Sequence, residues 1–215
     1  MLKYILFDLD GTLNNSGVGI RNSIEYALEK FGIRGESEQN LNRLIGPPLV
    51  SAFMEFYGFD KEQAIKARLY YREYYEVSGM YECAMYEGID KLLFNLKSTG
   101  AKLVVCTSKP QEPTEKILKY LKIYEYFDAV YGATLDGSLV EKEQIIQLAV
   151  KDFNIDTNSA VMIGDRKFDA IGARLNGIKS IGVTYGFGSK EELINAGYDY
   201  IIDDLGQLER LIKQL

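Results

Sequence analysis

The sequence predicts an α/β protein: a doubly wound, parallel-sheet, Rossmann-like core into which a helical cap is inserted. Three observations lead there. Short apolar runs recur at 4–7, 103–106, 160–163, 180–183 and 200–202, the length and composition of buried strands. Amphipathic stretches at 114–120, 141–153 and 168–176 alternate with the later runs, and a strand-helix alternation builds a parallel sheet covered on both faces. One long segment breaks that alternation. It carries helical patterns at 20–31, 40–45, 49–57 and 62–75 and no convincing strand, so the expected organisation is a core from 1–16 and 84–215 with a cap at 17–83. Linkers near residues 14–19 and 83–88 are the expected hinges.

The composition fits that reading and removes several classes of function. The chain has 215 residues, 47% of them hydrophobic and 26% charged, which suits a globular core and gives no case for disorder. Cys83 and Cys106 stand far apart with no paired metal-ligand spacing, as expected of unpaired thiols in a reducing compartment. Asp8 and Asp10 interrupt the first apolar run at once, so no signal peptide is expected. No uncharged apolar stretch reaches the roughly 18 residues that a membrane helix needs, and the expected location is cytoplasmic. A net charge of −6 disfavours a nucleic-acid polymer as partner, because backbone phosphates call for clustered Lys and Arg. The chain contains no histidine, which excludes Ser-His catalysis and His-ligated zinc. Catalysis then rests on carboxylates, lysines, hydroxyls and a hard metal ion.

Four polar elements fall where such chemistry can be assembled: Asp8-Leu9-Asp10-Gly11-Thr12, Thr107-Ser108-Lys109, Lys142, and Gly164-Asp165-Arg166-Lys167-Phe168-Asp169. Three of them follow predicted strands, and the carboxyl edge of an open parallel sheet is where ligands bind. Lys142 begins a predicted helix. If the first element stays extended, Asp8 and Asp10 point the same way, and with Asp165 and Asp169 they form a cluster that repels itself unless a cation sits within it. An all-oxygen donor set suits Mg²⁺. Thr107, Ser108 and Lys142 are placed to donate to phosphoryl oxygens. Six tyrosines, Tyr70, Tyr71, Tyr74, Tyr75, Tyr81 and Tyr86, are expected chiefly to pack the insertion, with a substrate pocket as the other reading.

These elements resemble, in order, the four motifs of the haloacid dehalogenase superfamily, over essentially the whole chain and with a helical cap after the first motif. The resemblance is to the phosphoglycolate phosphatase and 5′-nucleotidase-like branch. Leu44-Ile45-Gly46-Pro47-Pro48-Leu49 and Leu135-Asp136-Gly137-Ser138 point the same way, whereas Asn15 and Leu139 depart from it where relatives often carry Asp and Arg. The resemblance implies a phosphatase acting on a small phosphorylated metabolite such as phosphoglycolate or a nucleoside monophosphate. It implies Asp8 as nucleophile and metal ligand, Asp10 as general acid-base and backbone ligand, Thr107 and Lys142 as catalytic groups on the phosphoryl oxygens, Asp165 as metal ligand and Asp169 as its support. The implied cofactor is Mg²⁺. A sugar phosphomutase is the alternative with the same core, and a phosphate-metabolite-binding protein without turnover is the alternative from another class.

Overall fold

The computed structural model describes residues 2–215. Strand β1 (Tyr4–Phe7) and the short β2 (Asn14–Asn15) precede four helices, α1 (Gly17–Glu29), α2 (Glu38–Asn42), α3 (Leu49–Tyr57) and α4 (Lys61–Tyr75). After β3 (Ala84–Met85) the chain alternates through α5 (Ile89–Ser98), β4 (Lys102–Pro110), α6 (Gln111–Tyr120), β5 (Ala129–Ala133) and α7 (Lys142–Asp152). It ends with β6 (Ala160–Gly164), α8 (Lys167–Leu175), β7 (Lys179–Val183), α9 (Lys190–Ala196), β8 (Tyr200–Ile202) and α10 (Leu205–Gln214). The chain forms two compact units, one of residues up to Asn15 together with Met85–Leu215, the other Ser16–Ala84. Among the described residues no helix is long and apolar enough to cross a membrane.

In the larger unit six parallel strands lie in the order β5-β4-β1-β6-β7-β8. Strand β1 pairs with β4 on one side, Phe7 opposite Val105, and with β6 on the other, Phe7 opposite Ile163. The chain winds outward from β1 to β5, then returns beside β1 and winds the other way. That reversal opens a crevice beyond the carboxyl ends of the central strands, where ligands bind in such sheets. The apolar runs are continuous because both faces are covered. Leu6, Val104, Cys106 and Met162 pack with Ile145, Ile146 and Ala149 of α7 and Ala173 of α8, while the alternate residues Ile5, Phe7, Val105, Val161 and Ile163 are equally buried. Truncating Leu6 or Ile163 to alanine in so dense a core should cost about 2–5 kcal/mol.

The smaller unit is built of helices, with α1 and α3 packed on α4. An Asp60 and Gln63 capping box starts α4, and Ala64, Ala67, Tyr71 and Tyr75 form its buried stripe. Tyr71 and Tyr75 stack at 5.1 Å, Tyr70 meets Phe31 edge-on, Tyr74 lies against Tyr26, and the Tyr74 hydroxyl donates to Glu82 at 2.9 Å. Tyr71 and Tyr75 pack the unit's own interior, and Tyr70 and Tyr74 lie half-buried at its margin. Tyr86, grouped with them on sequence, belongs to the larger unit.

Sequence patterning leaves β5, α5, α9 and α10 unassigned, along with the two-residue strands β2 and β3. Strand β4 also runs further than its apolar stretch, to Pro110, with a break in register between Thr107 and Pro110. Cys106 is buried in β4, and neither Cys83 nor Cys106 is part of a disulfide.

Candidate active site

Asp8 is the first residue beyond β1, and its N–H continues the pairing by donating to the Ile163 carbonyl at 2.9 Å. The chain then folds over at Leu9, whose carbonyl accepts from the N–H groups of Thr12, Leu13 and Asn14. Gly11 closes the turn at φ +81°, and a Cβ there would lie 2.1 Å from Asp165 Oδ2, so no other residue fits. The turn starts at the Leu9 carbonyl, and the expected cluster of four carboxylates narrows to Asp8, Asp165 and Asp169, without that of Asp10.

Those three carboxylates are buried, with one oxygen from each within 4.8 Å of the others. Lys142, the first residue of α7, aims its buried ammonium at them: Nζ is 2.7 Å from Asp8 Oδ1 and 2.8 Å from Asp169 Oδ1. It also donates to the Cys106 carbonyl at 3.0 Å. Burial alone would lower the pKa of Lys142, but Asp169 and Asp8 outweigh it and raise the pKa. Asp165 has no lysine. Its Oδ2 accepts from the Phe187 N–H at 2.7 Å and its Oδ1 from the Thr12 hydroxyl at 3.4 Å. Burial first, and then the charges of Asp8 and Asp169, push its pKa well up. Burial also raises the pKa of Asp169, against the pull of Lys142. Asp169 Oδ2 takes the Arg166 N–H at 3.1 Å.

One ammonium thus faces three buried carboxylates, an excess of negative charge that a hard divalent cation would neutralise. The all-oxygen donor set fits Mg²⁺ better than a softer metal.

Thr107 is buried on β4, two residues beyond Val105, the neighbour of Phe7. The break in register at this end of β4 carries Ser108 and Lys109, and the Thr107 hydroxyl accepts from the Lys109 N–H at 3.3 Å. Lys109 Nζ lies 2.8 Å from Asp10 Oδ2, with the two side chains 7% and 17% exposed. The expected residues therefore form two adjoining groups, Asp8 with Lys142, Asp165 and Asp169, and Asp10 with Lys109. Sequence reasoning named Lys109 without assigning it a role, and it missed the loop after β7 entirely. In that loop the Tyr185 hydroxyl donates to the Thr12 carbonyl at 3.1 Å and its ring meets Tyr86 at 4.7 Å. A Cβ at Gly186 would lie 2.4 Å from Asp165 Cβ, and one at Gly188 would lie 1.9 Å from the Asp165 carbonyl oxygen. Gly186-Phe187-Gly188 was the available signal.

Comparison with known proteins agrees with this geometry. The family model for haloacid dehalogenase-like hydrolases matches residues 5–183. The chain belongs to that family. It is 40% identical, over 99% of its length and 97% of the relative's, to a 5′-nucleotidase of Pseudomonas aeruginosa. It is 26% identical, over 98% and 97%, to a phosphoglycolate phosphatase of Vibrio cholerae. A crystal structure described as a predicted phosphatase from Clostridium acetobutylicum superposes with a TM-score of 0.96 at 49% identity and full coverage of both chains. The protein is thus a haloacid dehalogenase-family phosphatase, with a parallel sheet flanked by helices as expected.

Proposed function

We propose that the protein is a Mg²⁺-dependent phosphomonoesterase for a small phosphorylated metabolite, such as phosphoglycolate or a nucleoside monophosphate, and that it works through an aspartyl phosphate, the acyl phosphate of Asp8. The observation that carries this reading is the buried Asp8 carboxylate at the end of β1, paired with Lys142 at 2.7 Å beside Asp165 and Asp169. Asp8, the backbone carbonyl of Asp10, and Asp165 would hold the cation, with Asp169 in support. Bound there, Mg²⁺ supplies positive charge to the phosphoryl oxygens and to the nucleophile.

An Asp8 oxygen forms a bond to phosphorus as the ester bond breaks, and Asp10 gives its proton to the departing oxygen. The Thr107 and Ser108 hydroxyls and the Lys142 ammonium hold the equatorial oxygens, where charge accumulates. Asp10 then takes a proton from water as the water oxygen bonds to phosphorus, which frees Asp8 and releases inorganic phosphate. All these groups come from the larger unit and serve any phosphomonoester. The reading therefore assigns substrate choice to the helical insertion, with a small metabolite as the partner rather than a nucleic acid or a membrane.

The test is acid quenching with labelled aryl phosphate. A hydroxylamine-sensitive label on Asp8, absent from Asp8→Asn, is the expected result, together with a fall in turnover of about 10³-fold or more. Near-normal turnover by Asp8→Asn would overturn the reading. Exchanging residues 17–83 for those of a relative should change relative rates across a panel of phosphorylated metabolites.

A further inference from the structure

Lys109 is built into the site as firmly as the expected residues are, yet the mechanism above makes no use of it. Its ammonium is almost fully buried and lies 2.8 Å from Asp10 Oδ2. The other oxygen, Asp10 Oδ1, is buried and has no hydrogen-bond partner within the protein. The two oxygens of one carboxylate therefore differ: Oδ2 lies against the ammonium, and Oδ1 accepts no hydrogen bond.

The backbone beneath Lys109 is fixed by a separate set of contacts. The break in register between Thr107 and Pro110 carries the side chain at 109. Gln111 pins the neighbouring strand by donating to the Val130 carbonyl at 3.0 Å and accepting from the Gly132 N–H at 2.7 Å. The Thr114 hydroxyl donates to the Pro110 carbonyl at 2.8 Å. A Cβ at Gly132 would lie 2.7 Å from the Lys109 carbonyl oxygen, so only glycine lets the two strands approach this closely.

We infer that Lys109 is the positioning residue for Asp10: it anchors Oδ2 and thereby presents Oδ1 as the oxygen that carries the proton. The inference rests on the proposed role of Asp10. Oδ1 gives its proton to the leaving oxygen as the bond to phosphorus breaks, and it takes one back from the attacking water. An ammonium 2.8 Å from Oδ2 fixes the carboxylate rotamer that a side chain after a turn could otherwise leave.

The experiment uses Lys109→Met, Lys109→Arg, Asp10→Asn and the double variant Asp10→Asn/Lys109→Met. Each is assayed with Mg²⁺ on aryl phosphates graded from 4-nitrophenyl to phenyl, with melting curves to verify folding. Lys109→Met should lower kcat by about 10- to 100-fold while KM stays within about threefold, and the loss should grow as the leaving group worsens. Lys109→Arg, which keeps a cation, should recover most of the rate and serves as the folded control. Because Lys109 acts through Asp10, the double variant should be no slower than Asp10→Asn alone. Additive losses, an equal loss across the leaving-group series, or a raised KM with kcat intact would each overturn the inference. Failure of the underlying reading is separable, because it shows in the wild-type protein as the absence of an acyl phosphate on Asp8.

Discussion

Asp165 differs from the other carboxylates of the site in having backbone and a hydroxyl for partners instead of an ammonium. Its orientation therefore depends on where the loop after β7 places the Phe187 N–H. The loop can come this close because of its glycines: a methyl group at Gly188 would need to overlap the Asp165 carbonyl oxygen, 1.9 Å away. Gly188→Ala should push the loop outward, lengthen the Phe187 contact and loosen Asp165. The expected outcome is Mg²⁺ affinity weakened by about 10- to 100-fold, the range for groups that orient a metal ligand, read by titration calorimetry. An alanine variant that binds Mg²⁺ as wild type does would show that the loop leaves Asp165 alone. The same loop marks a limit of sequence reasoning. Asp8, Lys142, Asp165 and Asp169 announce themselves because each ends a strand or begins a helix in an apolar context. Phe187 contributes only its backbone, which no side-chain pattern reports, and Lys109 acquires its place from a break in strand register that no periodicity contains.

Among the strands, legibility follows the apolar run, so that even the half-buried edge strand β8, Tyr-Ile-Ile, is legible. Strands β1, β6 and β7 are central and covered on both faces, so their apolar runs stand out. Strand β5 lies at the edge, and its sequence, Ala-Val-Tyr-Gly-Ala, is short, small and half-buried. What joins this edge to the sheet is partly electrostatic. Just before β5, Asp128 receives Lys97 at 2.6 Å, Lys102 at 3.0 Å and the Leu103 N–H at 3.0 Å, with its side chain 14% exposed. Partial burial raises its pKa, but the two lysines and the N–H outweigh burial, and the net shift is downward. A carboxyl group whose folded pKa is depressed stabilises the fold above its unfolded pKa of about 3.9 and loses that contribution as the pH falls through the folded value. Asp128→Asn should therefore cost about 1–2 kcal/mol at neutral pH, where its three contacts weaken. The deficit relative to wild type should shrink as the pH drops below about 4. Urea unfolding of both proteins at pH 7 and pH 3.5 measures this, and a pH-independent deficit would mean that packing, not charge, holds the edge.

For the whole molecule the carboxylate group is a stability problem before it is a catalytic device. The chain carries net charge −6, and three buried carboxylates face one lysine in the crevice. Their mutual repulsion opposes folding, and burial adds a desolvation cost that the raised pKa of Asp165 records. A cation that binds the folded state and not the unfolded one stabilises it by RT ln(1 + [L]/Kd), about 2.7 kcal/mol at a hundredfold excess over Kd. For a chain of this size, roughly 2–4 °C of melting temperature accompanies each kcal/mol, so saturating Mg²⁺ should raise the transition of the larger unit by about 5–10 °C over the chelated protein. Asp165→Asn separates this linkage from a general salt effect. Asparagine keeps the volume and the acceptor for the Phe187 N–H but removes one negative charge, so the chelated variant should melt higher than the chelated wild type. Magnesium should then add little, because the donor set has lost a charged oxygen. Calorimetric scans of both proteins in Mg²⁺ and in excess chelator give the four temperatures. If wild type melts at one temperature in both conditions, the carboxylates are reconciled within the protein itself and the metal assignment fails, whatever the enzyme's activity.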